Sequence, residues 1–304
     1  MLKVAYLVFA YKNPQLLKRA ISTLSSENCA FFVHIDQKSS IDQFSCIKGE
    51  NVFFHEHPIP VYWAEFSGVE AILLLIRQAL GSRERYDYFV LLGGSEYPLR
   101  SAEYIHEFLE RNCGLEFISM LKVPAPGKPI SRFDTLRFTS DMPIRRFIYR
   151  VLAKLGLAKR DHRKDLGGLE LYSGITWWAL SINACEYILN FMESNQHVEK
   201  FFRYTHAPEE SFFHTILGNS PLQHQIRGNL VYEEWPPASD HPKGPRMITD
   251  QHVAIFEKQE QVCLDDLYGS REALFARKLS DDNLGLVDRI DAMINLKGNK
   301  LDIQ

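Results

Sequence analysis

Residues 86–101 read Tyr86-Asp87-Tyr88-Phe89-Val90-Leu91-Leu92-Gly93-Gly94-Ser95-Glu96-Tyr97-Pro98-Leu99-Arg100-Ser101. The apolar run at 88–92 is short and rich in aromatic and branched residues, which disfavours a helix, and two glycines close it. Such a run predicts a strand buried on both faces, as in a parallel sheet. Ligands of open α/β sheets collect at the carboxyl ends of such strands. A site is therefore expected at the Gly93-Gly94-Ser95-Glu96 corner. A strand ending in a tight turn, with no further role, explains the same residues equally well.

Working outward, strands are expected at 3–10, 31–35, 52–54 and 115–120, with helices at 15–24, 67–80 and 101–111. Asn13-Pro14 places proline near the first turn of its helix. Val69, Ile72, Leu73, Ile76 and Leu80 fall on one face of the next. This alternation predicts an α/β fold with a mainly parallel sheet covered on both sides by helices. From 122 to 168 the pattern loosens, and the segment 132–164 carries Arg132, Arg137, Arg145, Arg146, Arg150, Lys154, Lys159, Arg160, Arg163 and Lys164. A solvated basic face, a groove for an anionic acceptor and a patch resting on anionic lipid all fit that composition. Order resumes at 173–180. Helices are expected at 183–193, 207–217, 270–278 and 283–294, with a Pro-rich loop from 231 to 245 and a polar tail from 297.

Composition narrows the function classes. Of 304 residues, 45% are hydrophobic and 24% charged, enough for a large core, and a net charge of −3 gives no electrostatic case for nucleic acid. Five cysteines without CxxC spacing argue against a disulfide framework or a zinc site and suit a reducing compartment. No apolar run approaches the ~18 residues of a membrane span. The apolar N-terminal stretch lacks a small-residue cleavage site and reads as a first strand. A cytoplasmic protein is expected. His55-Glu56-His57 lacks a third clear metal ligand, and neither GxGxxG nor GxxxxGK[ST] occurs.

The most suggestive chemistry lies in Thr205-His206-Ala207-Pro208-Glu209-Glu210-Ser211-Phe212-Phe213-His214. Two glutamates follow Pro208 in a first helical turn, where unpaired backbone N–H groups favour ionised carboxylates. Ordinary capping explains this; so does a general base at the mouth of a site. Asp36, beyond the second strand, suits hydrogen bonds to a nucleoside. Arg277-Lys278 suit either a helix C-terminus or a diphosphate.

In order and spacing these stretches resemble the core-2/I-branching glycosyltransferases, the family that includes the peptide O-xylosyltransferases. The resemblance runs from Val4 to about Lys278. Its markers are Tyr6-Leu7-Val8 with Tyr11-Lys12-Asn13-Pro14, His34-Ile35-Asp36-Gln37-Lys38-Ser39, Trp63 with Phe66-Ser67, and Gly94-Ser95-Glu96-Tyr97-Pro98. They continue with Ser173-Gly174 and Trp177-Trp178, Glu210-Ser211-Phe212-Phe213-His214-Thr215, His241-Pro242-Lys243 and Phe275-Ala276-Arg277-Lys278. The last two longer motifs lean toward the xylosyltransferase branch.

The resemblance implies one GT-A-type domain over 1–304, with a nucleotide-sugar half at 1–120, an acceptor and catalytic half at 121–280, and a C-terminal helix and tail at 281–304. It implies an inverting transfer of GlcNAc or xylose from a UDP-sugar to a glycan or lipid-linked saccharide. No cofactor or divalent metal is implied, consistent with the lack of any Asp-x-Asp pair in the chain. Glu210 carries over as catalytic base. Asp36, Arg277, Lys278 and Arg246 carry over as UDP contacts, and Glu96, Trp177 and Trp235 as acceptor or sugar contacts. A bacterial cytosolic enzyme decorating a lipid-linked or surface glycan fits better than a Golgi one, and the basic segment 132–164 could add peripheral contact with the inner face of the membrane. The competing readings are an inactive UDP- or glycan-binding homologue and a membrane-surface binding protein.

Overall fold

The computed structural model describes residues 2–137, 147–148, 151–152, 154–156, 158–236 and 244–298. Arg145, Arg146, Arg150, the motif His241-Pro242-Lys243 and the end of the tail lie outside the described residues.

The chain opens with β1 (Val4–Ala10), α1 (Pro14–Leu24), β2 (Cys29–Ile35), β3 (Val52–Phe54), α2 (Ser67–Leu80) and β4 (Tyr88–Gly93). It continues through β5 (Glu96–Pro98), α3 (Ala102–Arg111), β6 (Glu116–Lys122), β7 (Tyr172–Ser181), α4 (Ile182–Ser194), α5 (Gln196–Phe202) and α6 (Phe212–Gly218). The remainder is β8 (Ile226–Arg227), β9 (Val231–Glu233), α7 (Asp250–Lys258), β10 (Cys263–Asp266), β11 (Gly269–Glu272), β12 (Phe275–Arg277) and α8 (Leu284–Gly298).

Seven strands form the central sheet in the order β3-β2-β1-β4-β7-β6-β8. Pairing is parallel from β3 to β4 and between β6 and β8, while β7 runs antiparallel to both its neighbours. The mainly parallel sheet flanked by helices is thus the architecture that the alternation at 3–120 predicts. Every residue of β4 is buried, as its unbroken apolar run requires. β7 can be antiparallel because it returns to the sheet after the long excursion from 123 to 171. An antiparallel neighbour does not require a crossover helix.

A three-stranded sheet, β5-β12-β9, stands at the carboxyl edge of the central one. It corrects the helix expected at 270–278. Ser-Arg-Glu-Ala-Leu-Phe-Ala-Arg-Lys is rich in helix formers, but Leu274, Phe275 and Ala276 are buried on all sides, and β12 pairs with β5 on one edge and β9 on the other. Tertiary pairing overrides local propensity here. The second correction falls at 207–217, where a 3₁₀ turn (Pro208–Glu210) and α6 replace one helix. Ala207 adopts a left-handed backbone before Pro208, and Ser211 breaks the helical path with φ −144°. The segments 196–202 and 250–258, for which the sequence pattern predicts no element, form α5 and α7.

Packing joins the two sheets. Leu17, Ile21 and Leu24 of α1 enter the main core, while Leu16 and Ala20 on its other face meet Tyr97, Ala276, Val287 and Ile290 in a second cluster. Arg19 reaches Asp288 and Asp291 at 2.5 Å each, and Tyr97 Oη donates to Asp291 at 2.6 Å, so α8 is docked onto α1 and β5. Among the described residues no helix is long and apolar enough to cross a membrane.

At Gly174 the backbone of β7 lies against that of β6. A Cβ there would lie 1.7 Å from the Ser119 carbonyl oxygen and 2.9 Å from the His214 ring. Gly174→Ala is expected to lower unfolding stability by about 3 kcal/mol, since a backbone carbonyl inside a sheet has nowhere to go. Urea denaturation checks this; an unchanged midpoint would show that the bulge between Ile118 and Met120 absorbs the methyl group.

Candidate active site

Three loops are knitted together beyond the carboxyl ends of β1 and β4. Asn13 holds a left-handed backbone (φ 59°), and its Nδ2 donates to the Gly94 carbonyl at 2.7 Å and to Ser95 Oγ at 3.1 Å. Its Oδ1 accepts from Asp281 N at 3.4 Å, and the Ser95 carbonyl accepts from Leu279 N at 2.9 Å. Both glycines of the organising strand are needed for this closeness. A Cβ on Gly94 would come 2.8 Å from the Lys12 carbonyl, and one on Gly93 would come 2.8 Å from the Trp177 ring.

The knot gathers cations. Lys12 and Arg277 both raise the potential at Lys278, whose pKa is lowered first by burial and then by this repulsion. Among the described residues no carboxylate partners the Lys278 ammonium. Such a cluster of positive charge beside turned backbone is suited to an anion.

Arg277 is the most constrained of the three. It lies opposite Glu96 of β5 and Glu233 of β9 in the ladder, so both carboxylates face it on one side of the small sheet. Its Nη1 donates to Glu96 Oε1, and its Nε lies 3.3 Å from Glu233 Oε1. The guanidinium rests over the Trp177 ring, 4.6 Å from the centroid. Burial lowers its pKa to about 10, which leaves it charged at neutral pH. Glu96 has no exposed side-chain surface, and its Oε2 accepts from Gly93 N at 2.5 Å. The structure thus places Glu96 and Trp177 beneath Arg277 as its support.

Glu210 stands on the 3₁₀ turn, with its carboxylate held by two cations. Lys128 Nζ donates to Oε2 at 2.7 Å, and both Arg132 Nη atoms donate to it at 3.1 Å. Arg132 also donates to the carbonyls of His206 and Ala207 at 2.8 Å, tying the carboxylate to its own loop. The Glu210 carbonyl accepts from Ser173 Oγ on β7 at 2.9 Å. Left-handed Ala207 (φ 47°) and Ala64 (φ 60°) are joined by an Ala207 N to Ala64 O bond of 3.0 Å. Such strained residues persist only where their surroundings over-determine them. Burial pushes the Glu210 carboxyl up, but Lys128 and Arg132 outweigh it and hold the group below the ordinary carboxylate range.

Glu209 takes the opposite course. It lies against Gly68 of α2, and its Oε2 is shut off from solvent with no hydrogen-bond partner among the described residues. Burial raises it to about 7. One neighbouring glutamate is therefore an anion held by two cations, and the other an inward-facing acid.

Asp36 follows β2 and is nearly buried. Its Oδ1 accepts from Lys38 N at 3.0 Å and Val61 N at 3.2 Å, while Oδ2 lies 3.2 Å from Lys38 Nζ. Trp235 is half exposed and donates through Nε1 to Glu233 Oε2 at 3.0 Å. Arg246 points elsewhere, with half its side chain exposed and its Nε 3.3 Å from Glu234. Of the residues expected from sequence, Glu96, Trp177, Trp235 and Arg277 thus form one cluster with Glu233. Glu210 adjoins it, because the charges of Glu210 and Lys128 both act on Glu233. Lys278 joins Arg277 from the next position along the chain.

Three members escaped the sequence reading of the site. Glu233 and Lys128 sit in stretches that read as loops. Arg132 was one basic residue among ten, and only its fold neighbours distinguish it. Arg160 of the same segment also turns inward, donating to the Phe133 and Phe201 carbonyls at 2.6 and 2.7 Å. Among the described residues no three His, Cys, Asp or Glu side chains converge as metal ligands would.

The sequence pattern of the Core-2/I-Branching enzyme family matches residues 4–259. The chain belongs to that family. Its curated relatives include Xylosyltransferase 2 of Rattus norvegicus, 23% identical over 243 residues, which cover 77% of this chain and 27% of that protein. Xylosyltransferase 1 of Rattus norvegicus is 24% identical over 242 residues, covering 77% of this chain and 28% of that one. Homo sapiens Xylosyltransferase 2 is 24% identical over 241 residues, covering 77% and 26%. The chain thus spans about a quarter of the length of these relatives. Among solved structures, the apo crystal structure of mouse Xyloside xylosyltransferase 1 aligns with a TM-score of 0.38 and 8% identity, over 90% of this chain and 97% of that one.

Proposed function

We propose that the chain is an inverting glycosyltransferase that moves xylose or GlcNAc from a UDP-sugar to a hydroxyl of a glycan or other glycoconjugate, without a divalent metal. The observation that carries this reading is one ionised carboxylate, Glu210, held by Lys128 and Arg132, with its charge felt at Glu233, which itself lies 3.3 Å from Arg277 beside Lys278. Asp36, at the end of the neighbouring strand β2, contacts the nucleoside.

Glu210 takes the proton of the acceptor hydroxyl as that oxygen attacks the anomeric carbon. The new C–O bond forms as the bond to the UDP oxygen breaks, and the electron pair leaves with UDP. One displacement inverts the centre. Negative charge grows on the departing diphosphate, where fixed Arg277 and Lys278 donors stabilise it without reorganisation. The names of the curated relatives make UDP-xylose the first donor to try, with UDP-GlcNAc second.

A ligand that binds only the folded chain raises its melting temperature. UDP is expected to raise it by the same amount with and without EDTA, and one sugar nucleotide should exceed UDP. A shift abolished by EDTA would replace the cationic site with a metal-bridged one. No shift with UDP, UDP-xylose, UDP-GlcNAc or UDP-glucose would end the nucleotide-sugar reading.

A further inference from the structure

Glu233 is the buried carboxyl paired with Arg277 to which this reaction scheme gives no role. It ends β9 directly opposite Arg277, and its side chain is only 7% exposed. Arg277 Nε lies 3.3 Å from Oε1, Trp235 Nε1 donates to Oε2 at 3.0 Å, and the Trp177 indole also reaches the group. From other elements Glu210 and Lys128 act on it through their charges, and Glu96 faces it across Arg277. Glu233 therefore borders the interval between the cation assigned to the departing diphosphate, which it touches, and the carboxylate assigned to the acceptor, whose charge reaches it.

In a single displacement the anomeric carbon must occupy that interval, since it is bonded to the leaving oxygen and approached from the base. The ring that carries it must then lie against whatever lines the gap. A carboxyl group can hydrogen-bond two adjacent sugar hydroxyls, and the half-exposed Trp235 indole offers a flat apolar face to the ring's C–H bonds. We propose that Glu233, together with its partner Trp235, recognises the ring hydroxyls of the donor sugar and so sets which UDP-sugar is used. This inference rests on the UDP-sugar reading of the site.

Burial raises Glu233 to about 7, with Glu210 adding to the shift and the Trp235 hydrogen bond opposing it. Near neutral pH the group is thus partly an acceptor-only carboxylate and partly an acid that can donate. Donor choice should then vary with pH, because the two forms suit different hydroxyl geometries.

The test is calorimetric binding of UDP, UDP-xylose, UDP-GlcNAc and UDP-glucose to the wild type and to Glu233→Gln. The variant is expected to bind UDP as tightly as the wild type or more tightly, because a negative charge beside Arg277 is gone. Its discrimination among the three UDP-sugars should fall by about tenfold, the worth of a charged hydrogen bond. Equal losses of UDP and UDP-sugar affinity would make Glu233 an anchor of Arg277 alone and overturn the proposal, as would unchanged discrimination. If melting curves show that the variant does not fold, the wild type decides. Its affinity ratio between UDP-xylose and UDP-glucose, whose diphosphates ionise alike, is expected to change between about pH 6 and about pH 8, through the Glu233 ionisation. A flat ratio overturns the proposal. A wild type that binds no UDP at all overturns both this inference and the reading beneath it.

Discussion

Replacing Glu210 by Gln is expected to lower sugar transfer by about 10²–10⁴-fold, the usual worth of a positioned general base, while UDP binding stays near the wild-type value. The amide keeps an oxygen for Lys128 and Arg132, and Arg132 retains the His206 and Ala207 carbonyls that hold it in place. What is lost is the ability to take a proton. Turnover within a few-fold of wild type would move the base elsewhere.

The same carboxylate sets a pH dependence whose sign follows from its partners. Lys128 and Arg132 outweigh burial and depress its pKa, so the proposed base is ionised through the neutral range. Activity is lost only as pH falls through that depressed value. Lys128→Met removes one of the two opposing charges, so burial counts for more and the pKa rises. The acid limb of kcat/KM should move to higher pH in that variant. A limb that stays in place would mean that another group controls it.

Arg277→Ala is expected to have the largest effect on stability. Its guanidinium is the counter-charge of Glu96, which has no exposed side-chain surface, and it also neighbours the nearly buried Glu233. Removing one partner of a buried pair strands the other charge, at a cost of about 3–5 kcal/mol. Glu233 can relieve its share by taking a proton, since it already titrates at about 7. Glu96 is expected to carry most of the penalty. The double variant Arg277→Ala with Glu96→Gln should therefore recover much of the stability while still binding UDP poorly. Urea denaturation and UDP titration on the same samples separate the two roles of Arg277. A single variant as stable as wild type would show that Glu96 is neutral in the folded chain, and full UDP affinity would remove Arg277 from the nucleotide site.

How much of this is legible in the sequence depends on the range of the interactions involved. The run at 88–92 announces a buried parallel strand, because five consecutive apolar residues before two glycines suit little else. The amphipathic spacing of 67–80 likewise predicts α2, and Asn13-Pro14 marks the start of α1. The site motifs were legible as types of residue in a recurring order: a glutamate after Ala-Pro, an Arg-Lys pair after Phe-Ala.

The chemistry of each motif was settled only by folding. Glu209 and Glu210 look equivalent in the chain, yet one is buried against Gly68 and the other meets Lys128 and Arg132, residues about 80 positions away. Arg277 reads as the end of a helix until β5 and β9 arrive on either side of β12. By itself the sequence determined the α/β class, the central strands, the long helices and membership of a family, since these rest on local periodicity and on motif order. Only the tertiary structure decided which carboxyl is ionised, which arginine is locked, and that Glu233 belongs to the site at all. Burial and opposing charge set those properties, and both come from side chains distant in sequence.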